Sequence, residues 1–192
     1  PGTNRQKGEA EMNTYQVIDE KNWERIMHCM VFWESVEPAF VYAVCKCANE
    51  VEAFRYRFLN GRVVLFDHID TAFTYLNQET ELFKVVNVPL LGSIQEYVET
   101  AEKLPGAEEY FTGPLGNDIF QCSPMPWITY THISHTNSGK KDNATPLFDW
   151  GKYYEKDGRI VMPISVQAHH SFVDGIHMGQ FADMLQKYLE VF

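Results

Sequence analysis

The stretch IVMPISVQAHHSFVDG, residues 160–175, reads as a strand that carries two histidines to its end and then turns into a helix. Side chains alternate along a strand with period two. Ile160, Met162, Ile164, Val166, Ala168 and His170 therefore share one face, and Val161, Pro163, Ser165, Gln167 and His169 share the other. This pattern puts His170 on the apolar face and His169 on the more polar one. Pro163 has no amide proton to give a ladder, so it predicts an edge strand or a bulge near the strand's start. Asp174-Gly175 ends the extended run. Beyond it Phe181, Met184, Leu185, Tyr188, Leu189 and Phe192 recur at helical spacing, which turns one stripe of a C-terminal helix inward.

Working outward, the turn Lys156-Asp157-Gly158 feeds the strand. Residues 38–50, PAFVYAVCKCANE, read as a buried helix with proline in its first turn and apolar residues nearly all round. Residues 54–66 alternate through FRYRF, turn at Asn60-Gly61 and resume as RVVLF, which is a hairpin signal. Residues 71–84 add a strand and a polar connection. Ser93 and Glu96 have capping-box spacing and open a helix to Lys103, with Ile94, Tyr97, Val98 and Ala101 as its apolar stripe. Residues 104–116 and 137–143 read as loops, and residues 118–134 as mostly extended, made irregular by Pro124 and Pro126. Near the start, residues 15–18 predict a short strand, and Asp19 caps a helix through Trp23 and Arg25. Residues 1–14 are polar and read as a flexible leader, residues 15–192 as a single domain without repeat or linker. With strands dominating the second half and about four or five helices, the expected fold class is α+β, a mixed β-sheet with flanking helices.

Composition narrows the partners. The 192 residues are 45% apolar and 14% aromatic, enough for a substantial core. A net charge of −10 argues against nucleic acid, whose phosphates need a basic surface. No apolar run has the length of a membrane span, and the N-terminus has no signal pattern, so no membrane partner is expected. Cys29, Cys45, Cys47 and Cys122 have no C-x-x-C spacing, and two of them lie within an apolar stretch. Reduced thiols in a cytoplasmic protein are the plain expectation, with neither a disulfide framework nor a zinc site.

Three readings of the histidine turn stand side by side on residue type alone. A histidine at a strand end titrates near neutrality and suits a general base. Both histidines also suit a structural role, bonded to nearby carbonyls. His170, Asp174 and His177 fall at i, i+4 and i+7, a spacing for metal on a helix, but the strand pattern and the Asp-Gly break oppose one continuous helix through all three. No metal is expected. Likewise Arg25 reads as a solvated cation, Ser123 as a serine satisfying a turn before Pro124, Lys152 as a surface lysine and Tyr153 as a sheet aromatic.

HHSFVDG fits the H-H-x-x-x-D-G signature of the chloramphenicol acetyltransferase family and of the related dihydrolipoamide acyltransferase catalytic domains, a motif also found in peptide-synthetase condensation domains. GKYY at residues 151–154, with PAF, FRYR and NQETELF in order upstream, extends the resemblance to chloramphenicol acetyltransferase from about Tyr15 onward. The resemblance implies the coenzyme A-dependent acyltransferase fold and direct acetyl transfer from acetyl-CoA to a hydroxyl, with no acetyl-enzyme. His170, the motif's second histidine, would be the general base, its tautomer fixed by a bond to its own carbonyl. Ser123, in CSPMPW, would stabilise the oxyanion. Asp174 would pair with Arg25 in a structural role. Lys152 and Tyr153 would lie near the coenzyme. A homotrimer with sites between subunits is implied as well.

Three departures from the family pattern stand out. The interval from Trp23 to Pro38 is shorter than in the family. Asp149 replaces a usual threonine, and Ile133 and His135 stand where the family has an apolar pocket lining. The expectation is a cytoplasmic acetyl-CoA-dependent O-acetyltransferase acting on chloramphenicol and so conferring antibiotic resistance. Acetylation of another small hydroxyl compound, a non-catalytic scaffold, and acyl transfer to a lipoyl group are the alternatives.

Overall fold

The computed structural model describes residues 9–18, 33–77, 82–90, 92–103, 116–135 and 143–191. Strand β1 (Glu9–Ile18) precedes helix α1 (Trp33–Glu50), a short 3-10 turn (Glu52–Arg55) and a hairpin of β2 (Tyr56–Leu59) and β3 (Arg62–Leu65). Then come β4 (Asp70–Asn77), β5 (Leu82–Val88), α2 (Ile94–Lys103), β6 (Ile119–Met125), β7 (Leu147–Gly151), β8 (Tyr154–Lys156), β9 (Arg159–His169) and α3 (Gly175–Glu190). Six strands run in the order β1-β9-β7-β6-β4-β5, β8 joins on β9, and β2 and β3 pair apart. The pairs β4·β6 and β6·β7 are parallel and the rest antiparallel, so the sheet is mixed, as expected.

From Pro38 to Ala48, α1 is apolar nearly all round because it is covered nearly all round. Val41, Val44, Cys45 and Ala48 have no exposed surface. One side meets α2, where the rings of Tyr42 and Tyr97 lie 5.4 Å apart, and another meets the sheet, where Cys45 Sγ lies 3.6 Å from Cys122 Sγ. α3 closes the same layer through Phe181, whose ring packs on Phe54 at 5.6 Å and on Phe148 at 5.3 Å. Each such fully buried ring contributes about 1.5–3 kcal/mol. The capping box of α2 forms as its spacing predicts, with Glu96 N donating to Ser93 Oγ and Ser93 N to Glu96 Oε2. The hairpin turns where predicted, with Asn60 and Gly61 both at positive φ (52° and 73°).

The second arginine of FRYR anchors this hairpin. Arg57 is 1% exposed and donates to the carbonyls of Phe54, Tyr56, Asn117 and Ile119 at 2.7–3.1 Å. It thereby fixes the entry of β6, the strand that carries Ser123. Burial pulls its pKa down to about 10, which nearby Asp118 only partly offsets.

Several elements differ from the sequence expectation. α1 starts at Trp33, so Pro38 lies inside the helix rather than in its first turn. Pro124 lies within β6, paired across from Trp150. β9 is neither an edge strand nor bulged: it lies between β1 and β7, with continuous register on β1. The reason is local. β7 pairs with β9 from Ile164 onward and β8 pairs up to Val161, so Pro163 falls in the break between the two ladders, where no N–H is required on that side. β1 begins at Glu9, so its first six residues fall in the stretch read as leader. The helix expected from Asp19, with Arg25, and the loops at residues 104–115 and 136–142 lie outside the described residues. Three α-helices occur among those described.

Candidate active site

The histidine pair divides its labour at the end of β9. His169 is the last strand residue; its ring lies edge-on to Phe58 at 5.2 Å and 5.8 Å from Phe172, and its Nδ1 accepts from Ser171 N. It is packed and occupied. His170 is not on the apolar face of a strand, as alternation suggests. It opens the turn after β9 and is exposed. The strand ends there because the amides of Phe172 and Val173 both fold back onto the His169 carbonyl, at 3.0 and 3.1 Å. Val173, 2% exposed, pins the turn to the core.

That turn also sets the tautomer of His170. Its Nδ1 lies 3.1 Å from the carbonyl of Val173, rather than from its own carbonyl as the resemblance implies. A carbonyl can only accept, so Nδ1 carries a proton, and in the neutral ring Nε2 keeps its lone pair. An exposed imidazole oriented this way can take a proton from a hydroxyl.

Ser123 sits in the middle of the sheet. The register Ser123↔Asp149↔Ser165 places three polar residues in one row across β6, β7 and β9. Cross-strand partners point to the same face, opposite to the one where Cys122, Phe148 and Val166 meet the helices. Ser123 is half-buried, whereas Asp149 and Ser165 are 0% and 2% exposed. A loop over residues 126–135 covers them. Lys152 N donates to the Ile128 carbonyl at 2.6 Å, and the Tyr130 hydroxyl to the Asp149 carbonyl at 3.0 Å. Gly151 permits this approach, since a Cβ there would stand 2.7 Å from the Ile128 oxygen. Burial, reinforced by the Asp149 charge, pushes the Tyr130 phenol above its ordinary pKa.

The same loop delivers His135, whose Nε2 lies 2.9 Å from Asp149 Oδ2. The two departures noted separately in the sequence thus meet as a pair. No periodicity could have found this, because a loop and a strand bring together residues that neither helical nor strand spacing relates.

Asp174 is the N-cap of α3. Its carboxylate accepts from Gly175 N, its own amide donates to His177 Nδ1 at 2.9 Å, and the two residues form a capping box. Whether it also meets Arg25 lies outside the described residues. Lys152 and Tyr153 link β7 to β8, the lysine exposed and the tyrosine half-buried. His170 and Ser123 are not brought together within the chain. Four residues along β9 separate Ser165 from His169, and two strand spacings separate Ser165 from Ser123. At about 3.4 Å per residue and about 4.8 Å per strand, this puts the backbone at His169 about 17 Å from Ser123.

A family model described as chloramphenicol acetyltransferase matches residues 30–186. Chloramphenicol acetyltransferase 2 of Haemophilus influenzae is 26% identical over 154 residues, 78% of this chain and 72% of that protein. A solved chloramphenicol acetyltransferase superposes with a TM-score of 0.82 at 26% identity, over 94% of this chain and 88% of that one. The cubic core of the pyruvate dehydrogenase multienzyme complex superposes with a TM-score of 0.67 at 16% identity, over 95% and 81%, a likeness of fold alone. With the histidine turn and mixed sheet in place, the chain belongs to the chloramphenicol acetyltransferase family and is an acyltransferase of that family.

Proposed function

We propose that the protein is an acetyl-CoA-dependent O-acetyltransferase that acetylates chloramphenicol, and so confers resistance to it, as a cytoplasmic homotrimer. One observation carries this reading: the turn after β9 commits Nδ1 of the exposed His170 to the Val173 carbonyl, which leaves Nε2 of the neutral ring as the base. In the proposed step, His170 Nε2 takes the proton of the acceptor hydroxyl as its oxygen attacks the thioester carbonyl. The Ser123 hydroxyl donates to the oxygen that becomes negative, and the coenzyme thiolate leaves and recovers the proton from His170. Lys152 and Tyr153 are assigned to coenzyme binding, the lysine through a phosphate and the tyrosine through its ring. Asp174 is a positioning residue that starts α3 and so fixes the turn. Arg25 is assigned to the same support. Cys45, Cys47 and Cys122, buried as thiols rather than disulfides, fit a reducing compartment.

The separation of the two site residues supports an assembly with sites between copies. With the backbone at His169 about 17 Å from Ser123, His170 and Ser123 of one chain are poorly placed to share a site, and the site is assigned to where His170 of one copy meets Ser123 of the next. Thiol release from acetyl-CoA tests the reaction. Release is expected to depend on chloramphenicol and to fall by about 10²–10⁴ in His170→Ala. Release only with some other hydroxyl compound would overturn the substrate, and none with any acceptor the reaction. Mixing tests the assembly: His170→Ala and Ser123→Ala chains, refolded together, regain activity if sites lie between copies. No regain from a mixed oligomer would sink that arrangement.

A further inference from the structure

We propose that His135 and Asp149 form a dyad that orients the acetyl acceptor beside Ser123, receiving a hydrogen bond from a donor group on the acceptor other than the hydroxyl being acetylated. The inference rests on the acetyl-transfer reading and adds to it the chemical class of acceptor, a diol or amino alcohol.

The geometry starts at Asp149. Its side chain is 0% exposed, and its Oδ2 lies 2.9 Å from His135 Nε2. A buried carboxylate is costly unless paired and hydrogen-bonded, and the imidazole supplies the donor. The carboxylate only accepts, so Nε2 carries a proton, and in the neutral ring Nδ1 is left as an acceptor. The His135 side chain is 36% exposed, so part of the ring is accessible to a ligand. Asp149 is also the direct cross-strand neighbour of Ser123, about 4.8 Å away on the backbone and on the same face. The dyad therefore stands one strand from the group assigned to the oxyanion.

The ring is held rigidly enough to discriminate. The loop that carries it is tied to β7 through Ile128 and Tyr130, and the Asp149 backbone is itself an anchor for Tyr130. An acceptor with a second hydroxyl or an amine satisfies Nδ1. One with an apolar group there leaves a fixed polar group desolvated and unpaired, which costs binding. His135 takes no proton from the reacting hydroxyl; it positions the molecule that carries it.

The test compares chloramphenicol, whose propanediol carries two hydroxyls, with its analogue lacking the hydroxyl that is not acetylated. In the unaltered protein the analogue is expected to show a KM higher by about tenfold or more, with kcat changed far less. In His135→Leu the two compounds should have KM values within about twofold of one another. Because that variant leaves Asp149 buried without its partner and can fail to fold, the double variant His135→Leu/Asp149→Thr is measured beside it, and melting confirms folding of each. A side-chain nitrogen spectrum should show His135 protonated at Nε2. Undiminished discrimination in the folded variants, or a proton on Nδ1, overturns the dyad while leaving acetyl transfer intact. Absence of thiol release with every acceptor overturns both, which separates the two failures.

Discussion

Ser123 and His170 carry opposite demands at the scale of single residues. Ser123 sits half-buried in a paired strand, where losing a hydroxyl removes a donor but little packing. Ser123→Ala is expected to lower kcat by about 10²–10³, as for the loss of one oxyanion donor, with the urea midpoint nearly unchanged. A comparable loss of kcat together with a loss of folding would assign the serine to structure instead. His170 is exposed and, among the described residues, bonded through Nδ1, whereas its neighbour His169 is packed between Phe58 and Phe172. The HH pair is therefore one structural residue and one free one. The motif names both, but only the turn distinguishes them.

Among the elements, α3 depends most on a single side chain. Asp174 caps it and closes a box with His177. Asp174→Ala removes that cap at a cost of about 1 kcal/mol, or about 2–4 °C in melting temperature for a chain of this size, and loosens the turn that orients His170, so activity falls as well. Asp174→Asn retains a capping oxygen and should keep most of the stability. If Asn melts as low as Ala, the charge rather than the cap is what matters, and an ion pair such as that with Arg25 takes over the role. Residue periodicity located β9, α2 and α3 because their apolar faces meet a core on one side. It placed Pro38 and Pro163 too simply, because whether a missing N–H matters depends on which neighbour would have used it.

Over the whole molecule, the buried Cys47 thiol and three phenols set the response to alkali. Burial pushes the Cys47 thiol from 9.0 up to about 12, and Cys47 is 4% exposed. The unfolded thiol loses its proton near pH 9 while the folded one keeps it to about pH 12, so the folded state binds more protons in that window. Stability is then fully present below pH 9 and declines as pH rises, by up to about 1.4 kcal/mol per pH unit for this group. Tyr97, Tyr130 and Tyr188 are shifted the same way, from a higher start at 10.0. Urea melts at pH 8, 9 and 10 should show the decline beginning near 9, and Cys47→Ala should delay it toward the range of the tyrosines. A flat profile to pH 10 would mean the thiol is hydrated in the folded state.

The residues alone were enough for the α+β class, the hairpin at Asn60-Gly61, the capping box at Ser93 and the inward stripe of α3. Each depends on residues a few positions apart, whose geometry the backbone period dictates. The tertiary structure alone decided that β9 is interior, that the Val173 carbonyl holds His170, and that His135 meets Asp149 beside Ser123. It also decided that the end of β9 and Ser123 stand well apart within one chain. These relations join segments of different strands and loops, and their partners are chosen by sheet order and burial rather than by spacing along the chain.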